Sequence, residues 1–239
     1  MRKLVFKLCL TVLVSLLALA VIPAIQASPA QTADTSTPVY GADVNPTGNP
    51  IGGGEGYSNI ITSGDYAVET KAELLAALSA AMPGQVIYIK ETANIDMGGG
   101  TYGTLSLAVP SGITIASNRG WNGSPGGRIY WSKPARPPHY KHFFAVGNNV
   151  TFNGMRLEGP DGSIGYDGAD PLIDGICSSG KTGLVVENCE IYNWPYAGIA
   201  YYSDRLSGLD SAGRAYIHHN YIHNCRRSGL GYGVQIGAS

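Results

Sequence analysis

One ten-residue pattern occurs three times in this chain and limits its fold more than any other feature. The copies are Val150-Thr-Phe-Asn-Gly-Met-Arg-Leu-Glu-Gly159, Leu184-Val-Val-Glu-Asn-Cys-Glu-Ile-Tyr-Asn193 and Ala215-Tyr-Ile-His-His-Asn-Tyr-Ile-His-Asn224, offset by 34 and then 31 residues. Self-similarity at this period marks architectures in which stacked units share one core. Within each copy the apolar positions form two short period-2 runs. The first is Val150/Phe152, Leu184/Val186 and Ala215/Ile217; the second is Met155/Leu157, Cys189/Ile191 and Asn220/Ile222. Two strands with a kink fit this spacing and a helix does not. The kink falls at Gly154, Asn188 and His219, residue types that tolerate a left-handed backbone better than most.

Alternation then assigns the outward ladders. Arg156, Glu190 and Tyr221 should form one and Glu158, Tyr192 and His223 a second, with Glu187 beside His218 on the neighbouring sheet. Further short strands are expected at 85–90, 112–116, 128–131, 142–146, 175–177, 198–202 and 233–236, separated by Gly-rich turns. Each coil therefore reads as strand, loop, strand, tight turn, strand, loop. Thr70-Lys-Ala-Glu73 is a capping box, and the helix it opens places Leu74, Leu75, Leu78 and Met82 on one face before Pro83-Gly84 stops it. A stack of coils exposes apolar edges at its end, so this helix is expected to cap the first coil. The last strand is followed only by Gly237-Ala-Ser239, and the sequence is read as C-terminally truncated, with further coils or a cap beyond it.

The amino end has a different character. Met1 to Lys7 is basic and Leu8 to Ile25 apolar, so residues 1–27 read as a signal peptide and the protein as secreted, extracellular or on the cell surface. The alternative is an uncleaved segment, which would be the chain's one contact with a membrane. Residues 28–65, rich in Pro, Thr, Ser, Gly and Asn, read as a flexible linker, and 66–239 as the repeat domain. Arg2, Lys3 and Lys7 lie in the signal, so 16 basic groups against 17 acidic ones become 13 against 17, a net charge of −4. That balance argues against a nucleic-acid partner. Cys177, Cys189 and Cys225 are odd in number and so cannot all pair in a closed disulfide framework, and their spacing matches no zinc-site pattern.

The motifs V-x-V-x-N-C-x-I-x-N and Y-I-H-H-N-x-I-x-N resemble coils of right-handed parallel β-helix proteins, the pectate-lyase-like superfamily. The likeness runs from about Gln85 to the C-terminus and includes the order helix, Pro-Gly, strand. It implies an all-β right-handed parallel β-helix with an N-terminal capping α-helix. It leaves the activity open, because this scaffold carries lyases, hydrolases, epimerases and adhesins. Three departures narrow the enzymatic readings. Trp194-Pro195 stands where polygalacturonase-like hydrolases need a paired aspartate, His218 and Tyr216 replace the acid and the Trp of a W-x-D-H-type pectate lyase strand, and the Asp-Pro-His-Asp signature of alginate epimerases is absent.

Charge is segregated along the chain. Between Met97 and Leu157 there is no acid, but Arg119, Arg128, Lys133, Arg136, Lys141 and Arg156 alternate with aromatic residues. Arg128, Trp131, Lys133, Arg136 and Lys141 are therefore expected to hold an acidic sugar chain by charge pairing and ring stacking. The loop from Glu158 to Asp174 concentrates carboxylates on Gly-rich backbone, which makes Asp167, Asp170 and Asp174 candidate ligands for Ca²⁺. No cofactor is required by this reading. The last complete coil is dense in His and Arg. A uronate lyase needs a base and a cation for the enolate-like charge, and the scaffold's usual cleft implies Arg226, Arg227, Tyr202 and His218 for these roles. Two functions follow: a lyase-like protein acting on or binding acidic extracellular polysaccharide, or a non-catalytic cell-surface or matrix-binding protein.

Overall fold

In the computed structural model, the described residues are 57–98, 106–132, 140–160, 172–203, 214–227 and 230–238, and all fall in one compact unit. The readings of 1–27 as a signal peptide and of most of 28–65 as a linker lie outside them. The first strands are β1 (Tyr66–Val68), β2 (Val86–Ile89), β3 (Asn94–Asp96), β4 (Leu107–Val109), β5 (Thr114–Ala116) and β6 (Arg128–Tyr130). The middle ones are β7 (Tyr140–Val146), β8 (Thr151–Asn153), β9 (Arg156–Glu158), β10 (Leu172–Ser179), β11 (Val185–Glu187) and β12 (Glu190–Tyr192). The chain ends with β13 (Ala197–Ser203), β14 (Tyr216–His218), β15 (Tyr221–His223) and β16 (Tyr232–Ala238).

These strands form three parallel sheets, ordered β1-β2-β5-β8-β11-β14, β3-β6-β9-β12-β15 and β4-β7-β10-β13-β16. Successive coils thus add one strand to each sheet, an arrangement compatible with a parallel β-helix solenoid. The register stacks like positions on like. Ile87, Ile115, Phe152, Val186 and Ile217 make one inward column, and Ile95, Ile129, Leu157, Ile191 and Ile222 a second. Leu107, Phe144, Ile176 and Ile199 make the third, in register with Val234, which is exposed on β16. The three columns meet in one core, where each fully buried aliphatic side chain contributes about 1.5–3 kcal/mol.

The expected kinks are present: φ is +65° at Gly154, +53° at Asn188 and +54° at His219. Position 154 requires glycine, because a Cβ there would lie 2.3 Å from the Ser117 carbonyl oxygen. One coil later, Asn188 takes the left-handed backbone that asparagine tolerates, and its Nδ2 donates to the Arg119 carbonyl at 2.8 Å, 69 residues away. Asn220, in the inward stack of Met155 and Cys189, accepts from Cys189 N–H at 2.9 Å and donates to the Val186 carbonyl at 2.7 Å. It ties adjacent coils together where an apolar side chain would only pack.

Helix α1 (Lys71–Ala80) starts at the capping box: Thr70 Oγ1 accepts from Glu73 N–H, and Glu73 Oε2 accepts from Thr70 N–H at 3.0 Å. It packs on β1 and β2. Its buried face is Leu74, Ala77 and Leu78, while Leu75 and Met82 are exposed. The expected face of 74, 75, 78 and 82 is thus turned by part of a helical step. No helix of the described residues is long and apolar enough to cross a membrane.

Candidate functional site

A groove of about 730 Å³ lies at the turn between β5 and β6, lined among others by Thr62, Tyr88, Lys90, Glu91, Thr92, Asn118, Trp121 and Ser124. The turn is built from Asn-Arg-Gly-Trp-Asn-Gly-Ser, a run of residues that tolerate unusual backbone. Gly120, Asn122 and Gly123 all take positive φ, which throws the Trp121 side chain outward, 51% exposed.

Several bonds fix this turn. Gly120 N–H donates to the Ser124 carbonyl at 2.7 Å, Ser124 Oγ donates to Asn118 Oδ1 at 2.7 Å, and Asn118 Nδ2 donates to Glu91. Beneath it lies Arg119, only 1% exposed. Its guanidinium donates to the Pro125 carbonyl at 2.9 Å and to Glu190 Oε2 at 3.1 Å, and His223 Nε2 lies 3.2 Å from Glu190 Oε1. Burial pulls the Arg119 pKa down and the Glu190 charge opposes it. A buried ion pair thus anchors the turn to the middle of the second sheet, so Trp121 projects from a rigid base.

The expected sugar-binding set is placed differently. Trp131 is 7% exposed and packs against Phe143, with ring centroids 5.9 Å apart, so it has no open face for stacking. Arg128 lies in the second-sheet ladder, bonded to Glu158 and donating to Asn94 Oδ1 at 2.8 Å, with its guanidinium 4.0 Å over the Tyr130 ring. Lys141 lies in β7 with its backbone paired to Ile173; Lys133 and Arg136 lie outside the described residues.

The three ladders do form. Glu190 pairs with Arg156 and Tyr221, Tyr192 with Glu158 and His223, and Glu187 with His218. Their chemistry is partly redistributed. Arg156 Nε donates to the Gly126 carbonyl, and Glu190 is taken up by Arg119 and His223. Tyr192 Oη donates to Glu158 Oε2 at 2.8 Å, and its ring stacks on His223 at 5.0 Å. Burial first, and the Glu158 bond second, push the Tyr192 phenol up.

The four residues proposed for catalysis lie on β13, on β14 and in the connection that follows β15. His218 ends β14 in the first sheet, with Nε2 3.7 Å from Glu187 Oε2, and Glu187 also accepts from Asn59 and Asn153. Tyr202 is in the third sheet, where its Oη donates to Gln235 Oε1 at 3.0 Å. Arg226 and Arg227 lie in the connection that precedes β16, with Arg226 N–H bonded to the Trp194 carbonyl and Arg227 bridged to Leu230. Ala197 pairs with Tyr232 just beyond that connection, and Tyr202 is five residues further along β13, about 16 Å at 3.3 Å per residue.

Of the proposed Ca²⁺ ligands, Asp167 and Asp170 lie outside the described residues. Asp174 belongs to β10, where it is fully buried and bonded to His142 Nδ1 at 2.9 Å. Sequence reasoning passed over Trp121 in favour of Trp131. The signal that separates them is alternation: Trp131 shares the parity of inward Ile129, whereas Trp121 sits in a Gly-Asn turn. Comparison of the chain with protein-family models, with curated proteins and with solved structures finds no match.

Proposed function

We propose that this chain is a right-handed parallel β-helix, with α1 covering its first coil, that binds extracellular polysaccharide through the Trp121 groove. The observation that carries the reading is the half-exposed Trp121 ring on a turn anchored by a buried ion pair, beside hydroxyl, amide and carboxylate groups. An indole offers a flat apolar face to the C–H face of a sugar ring, and the surrounding polar groups serve its hydroxyls. The volume fits a few sugar units, since ligand sites span roughly 300–1,000 Å³. The one cation among the described lining residues, Lys90, is bonded to Glu69 at 3.0 Å, and Glu91 adds a negative charge. This lining suits a neutral sugar chain better than an acidic one. The basic and apolar amino end supports an extracellular setting.

The lyase-like alternative gains less support. It needs a base and a cation at one sugar, and His218, Tyr202 and the Arg226-Arg227 pair are distributed over two sheets and a connection.

The test is retention of the full chain on gels or insoluble matrices of neutral and acidic polysaccharides. The expected outcome is binding to at least one neutral polymer, weakened at least 10-fold in Trp121→Ala with an unchanged melting temperature. Equal retention of wild type and Trp121→Ala would remove the groove from the account. Release of 4,5-unsaturated product from any uronate polymer would favour the lyase.

A further inference from the structure

A second chemistry lies on the outward face of the third sheet, apart from the groove. His142 on β7 pairs across the ladder with Asp174 on β10, and three residues along, Ala145 pairs with Cys177. Strict alternation would put Asp174 and Cys177, three residues apart, on opposite faces. The register keeps the same offset on both sides of Gly175, but the pairing and the alternation break there. Gly175 is the position passed over in the pairing, and a Cβ there would lie 2.5 Å from the Gly198 carbonyl oxygen and 2.8 Å from Trp194 Cε2. Ile176 takes the inward place. Cys177 joins Ala197 and Ala200 in an apolar cluster separate from the main core, and Asp174 comes onto the same side. The consequence is that a ring nitrogen of His142, a carboxylate oxygen of Asp174 and Cys177 Sγ all lie within 4.8 Å of one another.

We propose that His142, Asp174 and Cys177, the three donors gathered here among the described residues, form a binding site for a zinc-class divalent ion. An imidazole, a carboxylate and a thiol from two adjacent strands make a donor set that suits zinc, whereas calcium and magnesium take oxygen ligands. Bonds of about 2.0–2.3 Å place tetrahedral donors roughly 3.3–3.8 Å apart. The 2.9 Å contact of His142 with Asp174 has to open by about half an ångström, and the thiol has to close by at most about an ångström. Small side chains, Ala145 and Ala200, flank Cys177 on both neighbouring strands and leave room for this. Asp174 and Cys177 are buried, while the His142 side chain is 26% exposed, which gives the ion a way in.

Burial, and then the Asp174 charge, push the Cys177 thiol up to about 12, so the free site holds a neutral thiol. Ion uptake therefore forms a metal–sulfur bond and releases the thiol proton to solvent. Tyr196 and Tyr202, which pack against the same cluster and are joined through Gln235, stand on this face beside it.

Cobalt(II) titration of the chelator-treated full chain tests the proposal, because a thiolate ligand gives a near-ultraviolet sulfur-to-cobalt charge-transfer band. One equivalent of Co²⁺ is expected to produce that band, and Zn²⁺ to abolish it by displacement. Cys177→Ala, which places a fourth alanine in the row of Ala108, Ala145 and Ala200, is expected to keep its melting temperature and lose the band. Cys225→Ala should retain it, and His142→Gln should weaken Co²⁺ binding at least 10-fold. Absence of a charge-transfer band in the wild type, or a band that survives in Cys177→Ala, would overturn the assignment.

Discussion

Arg119 shows how much a single buried charge decides here. Its side chain is 2% exposed and its carboxylate partner Glu190 16%, so Glu190→Ala leaves a guanidinium in a low-dielectric setting without its counter-charge. Breaking such a pair costs about 3–5 kcal/mol, and the expected fall in urea-unfolding free energy of about 3 kcal/mol exceeds that of an ordinary surface pair, which is about 0–1 kcal/mol. Cys189 carries a different prediction. Burial holds its thiol up at about 12 against an ordinary 9.0, so the folded chain keeps a proton that the unfolded chain releases above pH 9. Stability from this group is complete below about pH 9 and is lost as pH rises toward 12, at about 1 kcal/mol per pH unit. Urea midpoints at pH 8, 9 and 10.5 should fall more steeply for the wild type than for Cys189→Ala. Equal slopes would refute the buried-thiol account. Arg119 was not legible in the sequence, because its partner lies 71 residues away and only the register of the second sheet brings them together.

At the scale of elements, period and turn chemistry carried most of the fold. The kinks at Gly154, Asn188 and His219 and the ladders of β8, β11 and β14 were legible because identical positions recur in three copies. Strands β1, β3 and β4 were not, since each has three residues and no repeated copy to align with. The capping box was legible in Thr70 and Glu73, but the face of α1 was not: apolar Leu75 and Met82 are exposed, and small Ala77 takes the buried place. Thr70→Ala removes the acceptor for Glu73 N–H and is expected to cost about 1 kcal/mol in thermal or urea unfolding. The His142, Asp174 and Cys177 cluster escaped the sequence for a related reason. It depends on an irregularity at Gly175 that strict alternation does not contain.

At the scale of the whole molecule, three apolar columns build the scaffold, and the chemistry sits on what the columns leave outside. The turn between β5 and β6 projects Trp121, the second sheet presents the Glu158, Tyr192 and His223 ladder, and the third sheet gathers the metal-type donors. The candidate site was therefore less legible than the fold. Inward residues are fixed by periodicity, whereas outward ones depend on which distant partner reaches them. The most direct test of sugar binding uses the fact that the chain's three tryptophans differ in access. Trp121 is 51% exposed, Trp131 is 7% and Trp194 is fully buried. Acrylamide quenching of tryptophan fluorescence should thus report mainly on Trp121. With a bound neutral oligosaccharide, the quenching constant is predicted to fall by at least half in the wild type, while Trp121→Ala starts low and does not change. Saturating binding of a sugar polymer that leaves Trp121 as quenchable as before would contradict the account.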